Sequence, residues 1–81
     1  MKPGKYRHFS GDMYEVISVG HIVHGNGASE QPGAEVVIYR ALYVSEHFGP
    51  AHFWVRTVEN FNELVMRNGA AVRRFTPAEG Q

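Results

Sequence analysis

Hydrophobic and polar positions alternate with a period of two along most of the chain, and that period predicts strands rather than helices. The run "KYRHF", Lys5 to Phe9, sets Tyr6 and His8 against Lys5, Arg7 and Phe9. The run "MYEVISVGHIV", Met13 to Val23, sets Tyr14, Val16 and Ser18 against Glu15, Ile17 and Val19, with Gly20 marking a bulge or bend. Ser10-Gly11-Asp12 between them is tight-turn chemistry, so the two runs predict a hairpin. Phe9, beside that turn, is expected to face the core, which leaves Tyr6 and His8 as the exposed face. Arg7 then shares the inward face, a conflict that a rim position or a register shift near His8 would relieve.

Further along, "EVVIYRALY", Glu35 to Tyr43, is the strongest strand. Val36, Ile38 and Leu42 fall on one face and Val37, Tyr39, Ala41 and Tyr43 on the other, so both faces are expected to be largely covered. "FWVRT", Phe53 to Thr57, places Phe53 and Val55 opposite Trp54 and Arg56. Val58 to Phe61 breaks the alternation and predicts a short helical turn. Asn68-Gly69 predicts a type I′ hairpin with Met66 opposite Ala71, Val65 opposite Val72 and Glu63 opposite Arg74. The Gly-rich segment 24–34 predicts a flexible loop, "VSEHFGPAH" (Val44 to His52) a second loop, and 76–81 a frayed tail.

Short strands, tight turns and no amphipathic helix predict an all-β domain, or β with one short helical turn. The economical form is a small, SH3-like, partly open barrel of five to six antiparallel strands. With 81 residues the chain is expected to be a single domain with its core over about 4–75. It has no cysteine, so disulfides and thiolate zinc sites are excluded and the aliphatic and aromatic residues must carry the core. Eight basic and eight acidic residues cancel, so no global field recruits nucleic acid or an anionic membrane. No apolar run approaches the ~20 residues that span a bilayer, and no secretory signal follows the basic start, so a cytoplasmic location is expected.

The segments "KPGKYRHFSGDMYEV", "VVIYRALY", "FWVRTVENFNE" and "NGAAVRRF" come in the order of a known pattern. Together they resemble the bacterial family catalogued as domain of unknown function 1653. Its pattern runs Gly-x-Tyr-x-His-Phe-x-Gly-x-x-Tyr-x-Val, Val-Val-Tyr-x-x-Leu-Tyr, Trp-Val-Arg-Pro, Met-Phe and Pro-Arg-Phe, here spread from Gly4 to Phe75. Thr57 stands where the pattern has Pro, Asn60 where it has Met, and Arg73 where it has Pro. A Gly-rich loop with His21 and His24 replaces its compact His-x-Glu connection. The resemblance implies a small, mainly β domain and brings no assigned activity.

No catalytic constellation emerges from the residues. The serines lack a nucleophile elbow, and "HGNGASEQPG" lacks both the Lys-Ser/Thr ending of a P-loop and a strand-to-helix setting. The pairs His21/His24 and His47/His52 lack the convergence a metal site requires and read as loop histidines in contact with water. No catalytic residue, metal or cofactor is therefore expected. What remains is the aromatic and arginine set Tyr6, His8, Tyr39, Tyr43, Trp54 and Arg56 on strands expected to be neighbours. Such residues form core walls with polar tips, or a platform for bases, a proline-bearing peptide or a cation. Trp54 suits the core, and Tyr6 with His8 the surface. The functional expectation is a non-catalytic binding module for a peptide, protein or nucleic acid. A self-associating structural subunit is the alternative, and a small-ligand or metal-dependent enzyme comes third.

Overall fold

The computed structural model describes residues 2–24 and 31–78. Strands β1 (Gly4–His8), β2 (Met13–His24), β3 (Gln31–Ala41), β6 (Phe53–Thr57) and β9 (Phe75–Pro77) make one antiparallel sheet in the order β6-β3-β2-β1-β9. Two small ladders complete the strands: β4 (Val44–Ser45) with β5 (Gly49–Pro50), and β7 (Leu64–Arg67) with β8 (Ala70–Arg73). The helical segment is α1, Val58–Phe61. The protein is all-β with one short helix, and its five-stranded sheet stays open, with β6 and β9 at its two edges. Among the described residues no helix is long and apolar enough to cross a membrane.

Local chemistry places the turns as expected. Gly11 has φ of 106° in the β1–β2 turn, where a side chain would be strained. Asn68 and Gly69 have φ of 53° and 80°, the two positive values of a type I′ turn. The hairpin they close pairs Val65 with Val72 and Met66 with Ala71, and Arg74 meets Glu63 at 2.6 Å just beyond it. Thr57 caps α1, its hydroxyl oxygen accepting from the Asn60 N–H at 3.0 Å.

Three expectations are corrected. Register shifts fall between Val16 and Ser18 and between His21 and Val23, not at Gly20. An extra residue reverses the facing of the residues that follow it, up to the next shift. Ser18 therefore turns to solvent, and Val19 takes the place on the core side. The 24–34 loop shrinks as well: His24 belongs to β2 and residues 31–34 to β3, while 25–30 lie outside the described residues. Pro32 is accommodated because β3 pairs there with β2 alone. Of the 76–81 tail, Thr76 and Pro77 lie in β9 against β1 and the Ala78 N–H donates to the Lys5 carbonyl at 3.0 Å, so these three are not frayed, while 79–81 lie outside the described residues. Within β3 both faces are largely covered, as expected: Val37 is 0 % and Tyr39 4 % exposed on one face and Val36 is 6 % exposed on the other, while Leu42, beyond the end of the strand, is 40 % exposed.

The inner face carries the core. Tyr6, Val16, Val37, Tyr39, Phe61 and Phe75 form one buried cluster, with Tyr14, Trp54 and Val58 packed against it. Phe61 arrives from α1 and Phe75 from β9, and their rings stack 4.1 Å apart and within 2° of parallel. Four Tyr–Phe contacts made by Tyr6, Tyr14 and Tyr39 surround the stack edge-on at 5.5–5.6 Å. Such edge-on pairs contribute about 0.5–1.5 kcal/mol each beyond area burial.

Candidate functional site

The run "KYRHF" faces the other way from the expectation. Tyr6 is 8 % exposed and its hydroxyl donates to the Lys2 carbonyl at 2.9 Å, whereas Lys5 and Arg7 are exposed. The assignment of Tyr6 to the surface is thereby overturned, and so is the conflict at Arg7. Phe9 sits in the turn rather than the core, half-buried, with the Arg67 guanidinium 5.9 Å from its ring centre and donating to its carbonyl. The sheet offers more apolar surface to its inner face than Phe9 could supply, so Tyr6 and Tyr14, paired across the hairpin, turn inward together.

The six expected residues all lie on the inner side, and three of them share one cavity among the described residues. Tyr39 from β3 and Trp54 and Arg56 from β6 line a depression of about 480 Å³ together with Val55, Thr57 and Asn60. Tyr43 stands apart, its hydroxyl 3.0 Å from that of Tyr14. His8 packs against Phe75 with ring centres 4.9 Å apart, and Tyr6 belongs to the core wall. A second depression of about 480 Å³, bordered by Tyr6, Glu35 and Arg73, carries charges of both signs. The Trp54 cavity carries one charged residue, Arg56.

Arg56 is held in place. Its Nε–H donates to the Tyr39 hydroxyl oxygen at 2.8 Å and its Nη1 to the Asn60 side-chain oxygen, and the guanidinium lies 5.7 Å from the Phe75 ring centre. Asn60 is aimed by its own backbone bond to Thr57, so the N-cap of α1 indirectly positions the arginine. Thr57 and Asn60 are among the positions that depart from the family pattern. Both partners of Arg56 are neutral, and the ion pairs among the described residues, Arg40–Glu15 and Arg74–Glu63, do not include it. Burial holds the Tyr39 phenol above its ordinary pKa, an effect that the Arg56 bond and charge oppose. Tyr14 is raised further, by burial first and then by its bond to Tyr43. Both phenols are therefore protonated at neutral pH.

From Trp54 runs a ladder of rings that sequence reasoning missed apart from Trp54 itself. The His52 ring meets Trp54 at 4.7 Å edge-on, and Phe48 stacks on His52 at 4.2 Å and 18°. Phe48 is 55 % exposed, so the ladder leads from the sheet to solvent. Ser45 fixes its outer rung by accepting from the backbone N–H groups of His47 and Phe48 at 3.2 Å each. The Trp54 indole N–H is buried without a hydrogen-bond partner among the described residues. A hint lay in the sequence, where Phe48, His52 and Trp54 flank Gly49-Pro50. Nothing local could show that a two-residue ladder folds them back together. His21 and His24 lie on β2, not in a loop. Among the described residues, no three groups able to bind a metal converge.

His8 reports the charge of this region. Its pKa is held below 6.5 by burial first, then by the positive charges of Arg56 and Arg74, with Asp12 opposing. Its Nδ1 accepts from the Ser10 N–H at 3.2 Å, a bond that protonation of Nδ1 would break. The unfolded chain thus takes up protons at a higher pH than the folded one. This contribution to stability is complete above the unfolded value of 6.5 and declines as pH falls below it. His8→Gln is expected to flatten the fall in melting temperature between about pH 7 and about pH 5.5. Equal slopes in the two proteins would exclude His8 as the source.

The sequence profile described as "Protein of unknown function (DUF1653)" matches residues 4–77. The chain belongs to this family. No curated protein and no solved structure matches it.

Proposed function

We propose that this member of the DUF1653 family is a non-catalytic binding module whose ligand joins an anionic group to a planar one. The observation that carries this is Arg56, half-buried, oriented by two neutral acceptors and lacking a carboxylate partner among the described residues. A guanidinium held in this way has lost much of its rotamer freedom before a ligand arrives, so little is lost on binding. Its remaining donors suit a carboxylate or phosphate. Trp54, which shares the cavity with it, and the His52 and Phe48 rings that continue from Trp54 suit a flat partner, which stacks without demanding a particular sequence.

Titrating the labelled protein with single-stranded RNA, single-stranded DNA and peptides, followed by NMR, tests the site. Shifts are expected to cluster on the Trp54 indole N–H and the Arg56 Nε–H. Arg56→Gln should weaken binding by about 10- to 100-fold, the loss of one charge-assisted bond, while remaining folded. Shifts scattered away from Trp54 and Arg56 would refute the assignment.

A specific feature favours a second reading, self-association. Ile17, Leu42, Phe53 and Val55 are 40–60 % exposed on the outer face of the sheet. Sedimentation across a concentration series separates the two, because a strict monomer at high concentration excludes assembly.

A further inference from the structure

The same cavity opens onto the free edge of the sheet, and that edge specifies a kind of partner. Strand β6 pairs with β3 along Thr57–Val36, Arg56–Val37, Val55–Ile38, Trp54–Tyr39 and Phe53–Arg40, and with nothing on its other side among the described residues. The Ala41 N–H donates to the His52 carbonyl at 3.0 Å, which sets the phase of the antiparallel ladder. Alternation from that bond turns the backbone groups of Trp54 and Arg56 toward β3. It turns the N–H and C=O of Phe53 and Val55 outward. These outward groups form a short template for one more strand. Proline and lysine, which commonly block such an edge, are absent from Phe53–Thr57.

The side chains along this edge are sorted by face. On the inner side lie Trp54 and Arg56 with the cavity, in which Arg56 is the one charged residue. On the outer side Phe53 is 58 % and Val55 60 % exposed. We propose that the ligand of this site is an extended peptide segment of a partner protein, added as a strand to the free edge of β6. An acidic side chain of the peptide meets Arg56 on the inner face, and the next residue along, apolar, covers Phe53 and Val55 on the outer face. This rests on the binding-site reading above and narrows it. Backbone pairing supplies affinity, and alternation of acidic and apolar residues supplies selectivity. A nucleic acid satisfies Arg56 and the rings but has no backbone to match the outward N–H and C=O groups.

The test uses a capped octapeptide of alternating glutamate and valine, the same peptide N-methylated at alternate amides, benzoate, and a single-stranded oligonucleotide. The unmodified peptide is expected to shift Trp54 and Arg56 and to slow hydrogen exchange at the Phe53 and Val55 amides. N-methylation, or Val55→Pro in the protein, should weaken it about tenfold or more through loss of edge hydrogen bonds. The Val55 N–H faces outward, so proline there leaves the β3 ladder intact, and a melting curve verifies the fold. Benzoate separates the two ideas. If it shifts Trp54 and Arg56 while the peptide leaves the Phe53 and Val55 amides exchanging freely, the site stands and strand addition is wrong. If neither ligand moves Trp54 or Arg56, both are wrong. Tighter binding of the oligonucleotide than of the peptide overturns the peptide as partner. So does protection of the same amides by a concentration-dependent dimer of the protein alone.

Discussion

Replacing Phe75 with alanine is expected to destabilise the protein by about 3–5 kcal/mol, the range for removing a fully buried phenylalanine. Phe75 is 2 % exposed and stacks on Phe61 at 4.1 Å, with Tyr14 and Tyr39 edge-on at 5.6 and 5.5 Å. Its ring also lies under the Arg56 guanidinium and against His8. The aromatic shell is held by β1, β2, β3, β9 and α1, so its collapse into the vacated space would require several elements to move together. The cost should therefore sit toward the upper end of the range. For a domain whose whole stability is expected to be about 4–12 kcal/mol at this length, the variant stands close to unfolding. Denaturant titration followed by Trp54 fluorescence measures it. A loss under about 1 kcal/mol would mean that β9 does not dock as described. Phe61→Ala alone and combined with Phe75→Ala should be markedly non-additive, since each ring is the other's stacking partner.

Tyr6→Ala is expected to cost about 3 kcal/mol and to lower the melting temperature by about 12 °C or more. Tyr6 is 8 % exposed and meets Phe61 edge-on at 5.5 Å, and its hydroxyl holds the segment before β1 through the Lys2 carbonyl. A surface platform residue would behave differently, with a stability change within about 0.5 kcal/mol and its whole effect on binding. Tyr6→Phe isolates the hydroxyl. It should cost about 1 kcal/mol, one ordinary hydrogen bond, and leave the ring packing intact. If Tyr6→Ala melts with the unaltered protein, Tyr6 returns to the ligand face.

These residues show where sequence and structure part. Signals carried by a few neighbouring residues were read correctly. Asn68-Gly69 specified its own turn, and with it the register down to the Glu63–Arg74 contact. Alternation in "FWVRT" placed Trp54 and Arg56 together, because a strand admits two faces and no third. The helical turn at Val58–Phe61 followed from the break in that alternation and from its polar residues. The resemblance to the family, confirmed over residues 4–77, carried the order of these pieces but no activity.

The failures share one cause. "KYRHF" offers an aromatic ring to each face, and the inward one is set by what lies across the hairpin and above the sheet. Tyr14, Phe61 and Phe75 are 8, 55 and 69 positions from Tyr6 along the chain and reach it only after folding. The bulge at Ile17 is a property of the β2–β3 pairing, so Val19 could not be placed from β2 alone. Strand β9 is three residues containing a proline, too short for periodicity to register, and exists because β1 has an open edge.

The sequence by itself thus determined an all-β chain, its turns, and the strand that carries Trp54 and Arg56, because those depend on backbone geometry and on neighbours one to four residues apart. Tertiary structure alone decided which face of β1 is core, which ring ladder flanks Trp54, and that Arg56 is held by neutral partners from β3 and α1. Burial and hydrogen-bond partnership belong to contacts between distant segments. No local pattern encodes them until those segments meet.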